Sequence, residues 1–105
     1  MPYRVVISTE AAVDLKTAAN YIRRDSRTAA LRWNKQIRAR IATLASNPDR
    51  CVFAPEAETL TAPVRQLLFG SGNRGTYRIV FVMLDLYVVI LHVRHGSMLP
   101  KTPDD

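Results

Sequence analysis

Two apolar runs, YRIVFVM (Tyr77 to Met83) and YVVILHV (Tyr87 to Val93), stand three residues apart near the C-terminal end of the chain. Their β-branched and aromatic content and their length mark them as strands, over Thr76 to Met83 and Leu86 to Arg94. The tight Leu84-Asp85 turn between them makes them an antiparallel hairpin. Neither run alternates apolar with polar, as a strand with one wet face would. The hairpin therefore has to lie inside a sheet whose two faces are both covered. Asp85 interrupts the stretch from Ile79 to Leu91, which also falls short of the roughly 20 residues that span a bilayer. No membrane span is expected.

The preceding residues supply cover for one face. Tyr3 to Ser8 reads as a short strand, and Ser8 or Thr9 offers a helix cap. From Glu10 to Arg24 the residues Ala11, Leu15, Ala18 and Ile22 recur at helical spacing, with acids early and arginines late as the helix dipole favours. Asp25 or Ser26 caps a second helix whose stripe is Ala30, Trp33, Ile37, Ile41 and Leu44 and which ends at Asn47-Pro48. So short a connection makes the two helices an antiparallel hairpin. Trp33 lies within the stripe and is expected in the core, not as a platform for bases.

A long connection, Asn47 to Pro63, carries three prolines and is expected to pack through Val52, Phe53 and Leu60. A third C-terminal strand, Val64 to Phe69, is set off by Gly70, Gly72, Asn73 and Gly75. The order β-α-α-β-β-β predicts an α+β domain, with an N-terminal helical hairpin on one face of a small, mainly antiparallel four-stranded sheet. Residues 1–105 are expected to form this single domain, with 97–105 a flexible tail. Two helices cover one face only. The other face, in whole or in part, is expected to meet another chain, the alternative being that the long connection and the tail fold back over it.

The net charge of +6 resides in the first half: residues 1–50 carry ten Lys/Arg against four Asp/Glu, and residues 51–105 carry five of each. Arg27, Arg32, Lys35, Arg38 and Arg40 fall largely off the apolar stripe of the second helix. Such a field attracts nucleic acid, an anionic membrane surface or an acidic protein without choosing among them, and it is equally the mark of a solvated face. Cys51 is the single cysteine, and MPYRVVIS lacks the pattern of a secretory signal. A reducing cytoplasm is the expected setting.

Most catalytic schemes lack their residues. There is no glycine-rich phosphate loop and no Cys/His pair at metal-ligand spacing, and the three-residue spacing of His92 and His95 sends their side chains to opposite faces of a strand. No metal or cofactor is expected. What remains is Arg65, Arg78, Arg94, His92, His95, Tyr77 and Tyr87 on the last three strands. Arginines near a phosphorane and a histidine moving protons would suit metal-free RNA cleavage. With Leu84-Asp85 as a two-residue turn, Arg78 pairs with Leu91 and shares a face with His95. A one-residue slip substitutes His92 and Arg94. The same arginines, with Tyr77, would equally suit binding an acidic partner segment.

The segments APE (Ala54 to Glu56), VRQLLFG (Val64 to Gly70), TYRIVF (Thr76 to Phe81) and LHVRHG (Leu91 to Gly96) follow a stretch carrying Tyr21, Ile22, Ala29, Ala30 and Trp33. In this order they resemble the RelE/ParE superfamily of plasmid-stabilisation toxins, over nearly the whole chain. The resemblance implies a toxin held inactive by a cognate antitoxin that fills an apolar groove. RelE-like members cut messenger RNA on the ribosome, whereas ParE-like members poison DNA gyrase. The RelE pattern places basic residues on the middle strands, at Arg65 and Arg78, with His92, Arg94 and His95 left to complete the site only in a less typical nuclease, and it also wants an arginine and a tyrosine near the C-terminus, where this chain reads SMLPKTPDD. That departure favours the ParE-like branch, a gyrase poison and not an enzyme. The alternatives are a RelE-like endoribonuclease, or a non-toxic module that only binds an antitoxin.

Overall fold

The computed structural model describes residues 2–70 and 75–96. The expected tail, 97–105, lies outside them. Strand β1 (Arg4–Ile7) leads into helix α1 (Thr9–Arg23), which is followed by α2 (Arg27–Ala42) and two 3-10 turns, Thr43–Ala45 and Pro48–Arg50. A short helix α3 (Glu56–Leu60) precedes β2 (Val64–Phe69), β3 (Tyr77–Leu84) and β4 (Tyr87–His95). The strands form one sheet in the order β1-β4-β3-β2, antiparallel except for the parallel β1/β4 pair. This is the α+β arrangement the sequence predicts, with α3 added.

Both long helices begin on serine. Ser8 Oγ accepts from the Ala11 N–H at 3.1 Å and Ser26 Oγ from the Ala29 N–H at 3.1 Å, each satisfying one of the donors that a helix start leaves open. Ser8 Oγ also donates to the Leu91 carbonyl, tying the start of α1 to β4. The helices bury Ala11, Leu15, Ile22, Ala30, Trp33, Ile37 and Ile41 against Leu67, Tyr77, Ile79, Phe81, Val88, Ile90 and Val93 of the sheet. Trp33 is a core residue, edge-on to Tyr77 at 5.1 Å and to Phe69 at 6.4 Å.

The centre of the second face is covered by the chain itself. Ala54, Ala57, Leu60 and Ala62, from α3 and its flanks, pack on Val64, Val80 and Leu91. Residues 52–54 also run along the outer edge of β2, through the Phe53/Arg65 bridge and the Ala54 N–H to Val64 carbonyl bond, and so shield an edge that would otherwise invite pairing. Among the described residues, none packs over the side of this face towards β1. Val6 (43% exposed), Leu84 (54%) and Tyr87 (46%) lie there beside half-buried Val82 and Val89.

The register of the hairpin differs from the expected one. Asp85, at φ 53°, and Leu86 make the turn, so that Leu84 pairs with Tyr87. A bulge follows: Phe81 pairs with Ile90 but Val80 with His92, leaving Leu91 as the extra residue. The later turn and the bulge together bring Arg78 opposite Arg94 instead of Leu91.

Candidate functional site

Arg78 sits in the apolar run of β3, points to the second face and is almost wholly buried, which demands a counter-charge. Glu56, at the start of α3, provides it. The carboxylate is fully buried and receives both guanidinium nitrogens, Nη1 to Oε1 at 2.9 Å and Nη2 to Oε2 at 2.8 Å, while Nη1 also donates to Gln66 Oε1 at 3.1 Å. Burial alone would raise the Glu56 carboxyl. The hydrogen bonds from Arg78 and from its own backbone amide, with the charges of Arg78 and His92, outweigh that and hold it below the ordinary carboxylate range. The pair fastens the proline-containing connection to the middle of the sheet. Glu56 was not among the site residues anticipated from the sequence, although a single acid in the APE segment and a single arginine inside YRIVFVM are the signal that would pair them.

Arg65 points the other way. It pairs with Phe81 on the helix-facing side, where its Nη1 donates to the carbonyls of Cys51 (2.6 Å) and Asp49 (3.3 Å), and its guanidinium lies 4.3 Å from the centre of the Phe53 ring. Arg65 and Arg78 therefore stand on opposite faces of the sheet, each fastening a different part of the 47–63 connection. Cys51 beneath Arg65 is buried, which pushes its thiol up even though Arg50, Arg65 and Arg40 act to lower it.

The histidines are likewise separated. His95 joins Tyr77 on the helix-facing side, edge-on at 5.1 Å, in a cleft of about 400 Å³ that also takes in Asp14, Tyr21 and Arg94. Close packing there explains Gly75: its φ is +73°, and a Cβ would come within 2.9 Å of His95 Nε2. His92 pairs with Val80, beyond the end of β1, and its Nδ1 lies 3.2 Å from a Glu10 carboxylate oxygen of α1. Asp14, one turn further along α1, accepts the Val93 N–H at 2.9 Å. Of the anticipated residues, the structure thus brings together Tyr77, Arg94 and His95 around one cleft, and places Arg65, Arg78 and His92 elsewhere. Among the described residues no group of three His, Cys, Asp or Glu side chains is spaced to hold a metal ion, and no helix is long and apolar enough to cross a membrane.

Comparison with known proteins adds the family. No curated protein shows significant similarity to this chain. A solved structure described as the chromosomal ParDE TA system from P. aeruginosa shares the fold, with a TM-score of 0.68 over 89% of this chain and 95% of the other at 19% identity. The family model for the ParE toxin of the type II toxin-antitoxin system parDE matches residues 5–100, from β1 to beyond the end of β4. The chain belongs to the ParE toxin family of type II toxin–antitoxin systems.

Proposed function

We propose that this chain is a toxin that inhibits DNA gyrase and is neutralised by a cognate antitoxin. The family match across residues 5–100 carries the reading. Two features of the site support it over messenger RNA cleavage. Arg65 and Arg78 lie on opposite sheet faces, and each donates to the chain's own groups, Arg65 Nη1 to the Asp49 and Cys51 carbonyls and Arg78 to the Glu56 carboxylate. Metal-free cleavage of a phosphodiester needs its cations gathered at one phosphate. The antitoxin is assigned to the open part of the second face, where Val6, Leu84 and Tyr87 are exposed side by side. Tyr77, Arg94 and His95, which line one cleft, are the further contacts we assign to a partner.

Induced expression in bacteria tests the reading. Growth should stop while messenger RNA stays intact and a reporter plasmid loses negative supercoiling, and co-expression of the antitoxin should restore both growth and supercoiling. Codon-specific cleavage of messenger RNA with unchanged plasmid topology would transfer the assignment to the nuclease class. Undisturbed growth would reduce the chain to a module that binds antitoxin without toxicity.

A further inference from the structure

The hairpin of β3 and β4 turns on residues that turn chemistry only half explains. A two-residue connection with its first residue at positive φ favours Gly, Asn or Asp there, and Asp85, at φ 53°, meets that preference. Its neighbours do not. Leu84 and Leu86 stand more than half exposed on either side of it, at 54% and 57%. The outermost pairings of the hairpin with its neighbours are Val64 with Val82 and Arg4 with Tyr87, so neither β2 nor β1 runs alongside residues 84–86. The tip therefore projects past the sheet as a small knob, two leucines with a carboxylate at the apex, and Asp85 forms no ion pair among the described residues. The backbone of the knob is held in place, because the Arg4 N–H donates to the Leu86 carbonyl at 2.8 Å beside the Leu84/Tyr87 pair. Exposed leucines at a turn, where polar residues would suit the fold better, mark a contact with a partner.

We propose that the Leu84-Asp85-Leu86 tip is the element the toxin inserts into an apolar pocket of its target enzyme. The inference rests on the reading of the chain as a toxin with a protein target, and it adds which residues make the contact. Shape selects the occupant: a convex knob buries its leucines only in a concavity, which a folded enzyme offers and an antitoxin segment lying along the sheet as a strand or single helix does not. An anionic bilayer surface would repel the carboxylate at the apex. Asp85 calls instead for a cation at the floor of the pocket. Because the tip is already ordered, docking it costs little conformational entropy. Leu84 also belongs to the part of the second face assigned to the antitoxin, so a chain seated there covers the base of the tip and keeps it out of the pocket.

Leu86→Asn in the full chain is the test, since asparagine suits the turn and the carbonyl that accepts from Arg4 is unchanged. Wild type and variant are compared in gyrase supercoiling and in growth arrest on induced expression. The variant should need about tenfold or more toxin for the same loss of supercoiling, as truncation of a central apolar anchor does, and should no longer arrest growth. Asp85→Asn, which keeps a residue tolerant of positive φ, should weaken inhibition by about threefold or more. Leu31→Gln and Val52→Thr, at positions at least as exposed but remote from the tip, should stay within about threefold of the wild type. Thermal melting confirms that each variant is folded. Undiminished inhibition and growth arrest by Leu86→Asn overturn the proposal, as do equal losses in the Leu31 and Val52 variants. So does a Leu86→Asn defect confined to rescue by co-expressed antitoxin, or to self-association in sedimentation, with toxicity intact. Growth arrest that depends on Leu86 while the wild type leaves gyrase unaffected would uphold the tip and refute gyrase as the target; equal gyrase inhibition by both forms would do the reverse. A wild type that neither arrests growth nor inhibits gyrase overturns both.

Discussion

Glu56→Gln removes one charge from the buried pair and leaves the Arg78 guanidinium in the same surroundings. Breaking such a pair by neutralising one partner costs about 3–5 kcal/mol, because the remaining charge is stranded away from water. Here the lower end applies, about 3 kcal/mol, since the glutamine oxygen still accepts one hydrogen bond and Gln66 Oε1 keeps its contact at 3.1 Å. With a urea slope on the order of 1.5 kcal/mol/M for a domain of this size, the unfolding midpoint should fall by about 2 M. The acid limb should change too. The folded Glu56 carboxyl is held below its unfolded value, so its contribution is full above the unfolded pKa and is lost as pH falls through the folded one. The variant should therefore lose the part of the wild-type decline in stability that begins near pH 4.5. Replacing both partners, Glu56→Leu with Arg78→Met, should destabilise less than Glu56→Gln alone, because no charge is then stranded. A Glu56→Gln midpoint within about 0.3 M of the wild type, with an unaltered acid limb, would refute the reasoning.

Three further outcomes are expected. Ser8→Ala should cost about 1–2 kcal/mol in urea unfolding and more than Ser26→Ala, since Ser8 both caps α1 and donates to the Leu91 carbonyl whereas Ser26 only caps α2; equal losses would deny the second role. Gly75→Ala should lower the melting temperature by roughly 5 °C or more, from the positive φ and the approach to His95, and an unchanged melt would show that neither matters. Cys51 should react slowly with a disulfide reagent in the native protein and rapidly after denaturation, because burial raises its thiol pKa; equal rates would contradict that environment.

Much of the fold was legible from periodicity. The stripe from Ala30 to Leu44 and the pattern Ala11, Leu15, Ile22 place the two helices and their buried faces, and the apolar runs of β3 and β4 identify the hairpin at the heart of the sheet. What periodicity does not carry is a bulge: Leu91 differs in no local way from its neighbours, yet as the extra residue it moves every side chain beyond it by one position. Helix α3 is five residues long and begins next to a proline, too short to show a repeat, so the partial cover of the second face by the chain itself stayed an alternative. The roles of Arg65 and Arg78 were hidden for a related reason. Their types suit phosphate or carboxylate alike, and only the tertiary placement of Glu56 and of the Cys51 and Asp49 carbonyls shows where their donors go.

The most direct measurement is the supercoiling of relaxed plasmid by purified DNA gyrase across a titration of the purified toxin. Supercoiling should fall with increasing toxin and recover when the cognate antitoxin is added in equal amount. Supercoiling that is unchanged at a large excess of folded toxin would contradict the assignment of gyrase as the target.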